Sequence, residues 1–189
     1  MRYRLFPGLL SFALLTAPVA AQEPSDAAFG PDRLEQLFTE LKQETNEAAA
    51  RRIARRIREQ WLDSGGATAD LLIEWARDAA AEEKYHVALD LLDQAVVLYP
   101  DYVEGWSNRA MVFLQMQDYE RAMSDLARTL AIEPRHFGAL SGLAGILRAS
   151  GHEERALEVY RRMLEVYPMQ RSAQRALMRL VEDQTDERL

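Results

Sequence analysis

Residues 69–102 read ADLLIEWARDAAAEEKYHVALDLLDQAVVLYPDY, residues 103–136 read VEGWSNRAMVFLQMQDYERAMSDLARTLAIEPRH, and residues 137–168 read FGALSGLAGILRASGHEERALEVYRRMLEVYP. Set beneath one another, the three lines share a step of 34 residues. Pro100, Pro134 and Pro168 fall in register, each two places after Leu98, Ile132 or Val166. Ala76, Ala110 and Ala144 fall in register, and so do Ala88, Ala122 and Ala156. Apolar residues three and four apart within each line predict helices. Each line predicts two antiparallel helices, with an alanine on each where the backbones come closest and a larger side chain would push them apart. The proline cannot continue the second helix and sets the turn into the next line. One such pair cannot bury its own apolar face, so neighbours must stack.

The turn chemistry agrees with this division. Gly151 falls in the turn inside the third line, where a positive φ is needed. Asp118 is placed to cap the helix opening at Tyr119. Asp101 with Glu104 has the spacing of a capping box.

Outward from the repeats, Asp32 with Glu35 has that spacing too, ahead of Leu34, Leu37, Phe38 and Leu41. A second helix from about residue 47 to 63 carries an apolar stripe of Ile53, Ile57 and Trp61, with Ala50 and Ala54 beside it. Arg51, Arg52, Arg55, Arg56 and Arg58 take the rest of its surface, and Ser64-Gly65-Gly66 stops it. Residues 32–66 are thus expected to form an irregular helical pair that caps the array. The arginines can pair with Glu35, Glu40, Glu44, Glu47 and Glu59. Their alternative use is to dock an acidic partner or lipid headgroups. After Pro168, residues 170–183 form a last helix with Ala173, Ala176, Leu177, Leu180 and Val181 on its apolar side, and the end beyond it frays.

The chain of 189 residues, 48% hydrophobic and 28% charged, suffices for one sizeable core. It has no cysteine, which excludes disulfides, thiol chemistry and a lipoprotein anchor. Residues 1–21 read as a secretory signal: Arg2 and Arg4, an apolar run from Leu5 to Val19, then small residues to Ala21. The alternative is an uncleaved anchor. Residues 22–31 follow as a polar, flexible leader. Cleavage removes Arg2 and Arg4, so 23 basic groups become 21 against 30 acidic ones, a net charge of −9. An acidic surface argues against nucleic acid and anionic lipid as general partners. The expected address is a bacterial periplasm, with no stable membrane insertion once the signal is gone. His86, His136 and His152 are far apart in sequence. No phosphate loop or nucleophile motif is present, so neither an enzyme nor a cofactor is expected.

The repeated pattern resembles the tetratricopeptide repeat (TPR) family. The family's W-x2-L-G-x2-Y, A-x3-F and P positions are met by Trp106, Arg109, Ala110, Phe113, Ala122, Leu126 and Pro134 in the second line. In the third they are met by Leu140, Leu143, Ala144, Leu147, Ala156, Tyr160 and Pro168. In the first they are met by Leu72, Trp75, Ala76, Ala79, Ala88, Leu92 and Pro100. Arg109 and Ala79 depart from the pattern. The resemblance implies an all-α, right-handed superhelix, or solenoid, of repeats 69–102, 103–136 and 137–168.

It also implies a concave groove lined by the first helix of each pair, suited to a protein or peptide partner. Repeat one would supply Asp70, Ile73, Arg77 and Ala80. Repeat two would supply Glu104, Ser107, Asn108, Met111, Leu114 and Gln115. Repeat three would supply Gly138, Ser141, Gly145, Arg148 and Ala149. Asn108 would bond peptide amides, and Met111 and Leu114 would give adaptable apolar contact. One subfamily clamps a C-terminal carboxylate with groove cations. Asn108 matches that set, whereas Ile73, Gly138 and Gly142 do not. His136, at the junction of repeats two and three, either caps or packs there, or opens a close approach for a partner's backbone. The reading from a different class is a self-association module that pairs its end helices.

Overall fold

The computed structural model describes residues 31–62 and 66–186, and every described element is helical. α1 is Pro31–Gln43 and α2 is Glu47–Leu62. Three pairs follow: α3 Ala67–Ala81 with α4 Tyr85–Leu98, α5 Val103–Gln115 with α6 Tyr119–Ile132, and α7 Phe137–Ala149 with α8 Glu153–Val166. α9 is Arg171–Asp186. Each pair packs on itself and then on the next, and α9 closes on α8, so the chain builds an α–α superhelix. The alanines in register are all at most 1% exposed. Such complete burial is what the spacing predicts for small residues where two helices meet.

The turn inside each repeat is one device used three times. The N–H groups of Lys84, Asp118 and His152 reach back to the carbonyls of Ala79, Phe113 and Leu147 at 2.8–2.9 Å. Those of Glu83, Gln117 and Gly151 bond Ala80, Leu114 and Arg148. This is the Schellman arrangement, and it needs a left-handed residue after the helix. Gly151 takes it at φ 73°, as the sequence indicates, while Glu83 and Gln117 take it at φ 60° with a side chain. A non-glycine residue there costs about 1 kcal/mol. Gln117→Gly should therefore stabilise the chain by about 0.5–1 kcal/mol, and Gly151→Ala should destabilise it by a similar amount; urea midpoints of the two variants check both signs.

Asp118 caps α6 by accepting from the Arg121 N–H at 3.1 Å. The two expected capping boxes do not form. α1 begins at Pro31, whose missing N–H and fixed φ suit a first helical position, so Asp32 lies inside the helix. Glu35 instead meets Arg135. α5 has Tyr102 at its cap with no side-chain bond; Asp101 pairs with Arg128 and Glu104 turns into the protein. An acid three places after an acid suits a cap, but a tertiary cation offers a stronger partner. Helix α9 also continues past Asp183 to Asp186, where fraying was expected.

The largest correction concerns α1 and α2. They form a pair, but not a cap stacked on repeat one. Their main partners in the array are α5 and α8. α2 runs across the turns that join one repeat to the next. Its Leu62 carbonyl accepts from the Tyr102 hydroxyl at 3.1 Å. Trp61 stacks on His136 at 4.2 Å and meets Phe137 at 4.8 Å. The Arg58 guanidinium lies over Phe137, and Glu47 accepts from Arg171 at 3.1 Å. α1 sits on the same edge: Arg135 grips Glu35 with two bonds of 2.7 and 2.8 Å and stacks over Phe38 at 3.9 Å. The apolar stripe of α2 predicts that this helix is covered; the aromatic rings at the repeat junctions decide by what. The signal and residues 22–30 of the leader lie outside the described residues, while Pro31, expected in the leader, opens α1.

Candidate functional site

The first helices of the repeats, α3, α5 and α7, supply the expected groove residues. At its centre is the carboxylate of Glu104, a residue 6% exposed. Burying a carboxylate is costly unless donors surround it. Asn108 donates to it at 2.8 Å and Arg77 at 3.4 Å. His136 completes the set. Its Nδ1 accepts the Ala139 N–H at 3.0 Å and so carries no proton. The proton is therefore on Nε2, which donates to Glu104 Oε1 at 3.2 Å. One ring caps α7, ties repeat three to repeat two, and stacks under Trp61. His136 thus caps and packs at the junction.

Between α3 and α5 lies a cleft of about 210 Å³, lined by Ala76, Arg77, Ala80, Asn108, Met111 and Gln115 among others. Met111 is 47% exposed at its wall. A second cleft, about 330 Å³, lies between α3, Tyr102 and the end of α2, lined by Leu62, Asp70, Ile73, Glu74, Arg77, Asp78 and Tyr102. Arg77 borders both.

The structure sorts the expected groove residues. Arg77, Met111 and Gln115 face the first cleft with exposed side chains. Ile73 lines the second but is almost fully buried. Asn108 lines the first, yet its Oδ1 already accepts from Arg77 at 2.8 Å and its Nδ2 donates to Glu104. Its amide is committed within the fold, against the expectation that it bonds a partner. Glu104 and Ser107 are buried. Leu114 packs against α7: a Cβ added to Gly142 would lie 3.3 Å from it. Ser141 and Arg148 are exposed on α7 and line neither cleft. Sequence reasoning missed Glu104 as a hub and Trp61 as the lid on His136. Only the pairing of His136 with a small-residue helix start pointed there.

Three of the five exposed arginines of α2 meet partners within the chain, Arg58 over Phe137 among them. Arg51 pairs with Glu47, and Arg56 approaches Glu40 at 3.7 Å. Two exposed carboxylates add modestly to the hold of the pair on the array. Arg135 holds the Glu35 carboxyl below its ordinary range, and Arg171, then Arg51, do so for Glu47. A lowered carboxylate stabilises the docked state above its ordinary pKa and loses that effect as pH falls through the lowered value. Docking should therefore weaken in acid, below the usual carboxylate range. Trp61 emission, read with Trp75→Phe and Trp106→Phe, should show an acid transition that Glu35→Gln with Glu47→Gln removes. An unaltered transition in that variant would assign the titration elsewhere.

Comparison with known proteins places this geometry. The family description "Tetratricopeptide repeat" matches residues 73–133 and again residues 113–181. A TPR repeat-containing protein of Rhizobium etli is 44% identical over 182 residues, covering 92% of this chain and 89% of that one. Among solved structures, the first TPR of Spaghetti (RPAP3), bound to the HSP90 peptide SRMEEVD, is similar with a TM-score of 0.59 and 23% identity. It covers 62% of this chain and 94% of its own. The second TPR domain of human RPAP3, in complex with the HSP70 peptide SGPTIEEVD, gives a TM-score of 0.56 at 19% identity, over 60% of this chain and 94% of its own. With its register of alanines and prolines, its stacked helix pairs and a relative matched over nearly its whole length, the chain belongs to the tetratricopeptide repeat family.

Proposed function

We propose that this chain is a non-enzymatic adaptor that binds a peptide segment of another protein on its concave face, at the cleft between α3 and α5. The observation that carries this reading is the cleft itself. It joins apolar walls from Ala76, Ala80 and Met111 to one exposed cation, Arg77. Met111 gives contact that adapts to the partner. Arg77 spends Nε on Asn108 and Nη2 on Glu104, and its other terminal nitrogen, on an exposed side chain, is left to meet a carboxylate. The two similar TPR structures hold acidic peptides, which supports an acidic segment as the class of ligand. Gly138 and Gly142 lack the cations of a carboxylate clamp, so recognition relies on Arg77 and shape. We further propose export by residues 1–21 and a role in assembling or regulating a complex of the bacterial envelope.

A photoreactive residue at Met111 in living cells tests this. It should capture a protein in the periplasmic fraction, on chains that begin at Gln22. Arg77→Ala in a folded chain should weaken that complex about tenfold, the worth of one charged hydrogen bond. Capture that is indifferent to Arg77, or absent, would count against the cleft.

A further inference from the structure

Each repeat shows its first helix to the second helix of the repeat before it. In repeat two the residues on that face are Gly105 and Arg109. A Cβ on Gly105 would lie 3.3 Å from Val96 of α4, and Arg109 bonds Asp93 of α4 at 2.7 Å. In repeat three they are Ala139, fully buried, and Leu143, packed in the core. In repeat one they are Leu71 and Trp75, which stand 41% and 51% exposed. Because α1 and α2 lie on the turn edge, the main described partners of α3 are α4 and α5. Among the described residues, a stacking face used twice inside the chain is thus left open once.

The opposite end has its own open face. α9 buries Ala173, Ala176 and Leu180 and turns Met178 outward, 61% exposed. The two ends differ in charge. Exposed Glu74 and Asp78 flank the Leu71–Trp75 face, and exposed Arg175 and Arg179 stand beside Met178.

We propose that a second copy of this chain docks head to tail, with the Met178 face of α9 on the Leu71–Trp75 face of α3. Trp75 is the apolar anchor, and Arg175 and Arg179 meet Glu74 and Asp78. Front-to-front pairing would set Glu74 and Asp78 against themselves, which opposes association. Residues 22–30 carry Glu23 and Asp26 and no cation, so they match this acidic face poorly. The contact joins unlike surfaces, so it extends into open chains of copies. Glu74 and Asp78 border the second cleft, but none of the residues used here lines the cleft between α3 and α5, so the proposal stands or falls apart from the peptide-binding reading.

Sedimentation velocity over a concentration series tests it. The native chain should grow in size with concentration, and salt should reduce this. Trp75→Asp at the front, and Arg175→Glu with Arg179→Glu at the back, should each raise the dissociation constant at least tenfold. An equimolar mixture of the two variants should form a dimer that grows no further, because each retains one intact end. A native chain that stays monomeric overturns the proposal. So does a back-end variant that associates as the native chain does, or a mixture that remains monomeric. Both variants alter exposed residues, and circular dichroism confirms that each is folded.

Discussion

Trp61→Ala should release α1 and α2 from the array while leaving α3 and α4 intact. Trp61 is 5% exposed and lies 4.2 Å from His136, 4.8 Å from Phe137 and 6.0 Å from Phe38. Truncating a buried tryptophan costs about 3–5 kcal/mol. The remaining links are the Tyr102–Leu62 bond, Arg58 over Phe137, Arg135 over Phe38, the packing of α1 on α8, and the pairs Glu35–Arg135 and Glu47–Arg171, which are exposed and contribute little each. The loss should therefore fall on docking of the pair. In a repeat array stability is a sum over neighbours, so repeat one, which has little contact with the pair, should keep its own. Limited trypsin digestion reads this directly, because α2 carries five arginines between Arg51 and Arg58. Cleavage there should accelerate at least a hundredfold before any cut in α3 to α8. Uniform loss of protection along the chain would show that the pair is part of one cooperative core.

Arg109→Leu should be nearly as damaging, although leucine is the residue that the family pattern favours there. Arg109 grips Asp125 with two bonds of 2.8 Å and Asp93 with a third. The Asp125 side chain is 4% exposed. The Asp125 pair, with Asp93 adding to it, holds the guanidinium in its charged form. Removing one partner of a buried pair strands the other, at about 3–5 kcal/mol. Replacing both by apolar residues removes the stranded charge, so Arg109→Leu with Asp125→Leu should recover most of that loss. A double-mutant cycle in urea measures it; additive effects would mean that the two side chains do not depend on each other.

These two positions mark where local sequence stops announcing tertiary contacts. The solenoid was legible because its causes are local and repeated: alanines at helix contacts, prolines at repeat ends, Gly151 in a left-handed turn. Asp118 as a cap is legible for the same reason, whereas His136 reads as a cap only as one of several alternatives. Arg109 showed as a departure, but its partners are 16 residues away in either direction, on two other helices. Glu35 reads as half of a capping box, yet its partner is Arg135, 100 residues on. The stripe of Ile53, Ile57 and Trp61 announces a buried face without naming what buries it. The groove was legible in outline only. Periodicity places Asn108 and Arg77 on facing helices, but it does not show that they bond each other.

The central claim is that the face lined by α3 and α5 receives the partner. Hydrogen exchange on the purified complex tests it most directly. Added protection should concentrate in residues 73–81 and 104–115, with α4, α6 and α8 unchanged. Protection confined to α1 and α2, or to the second helices of the repeats, would contradict it.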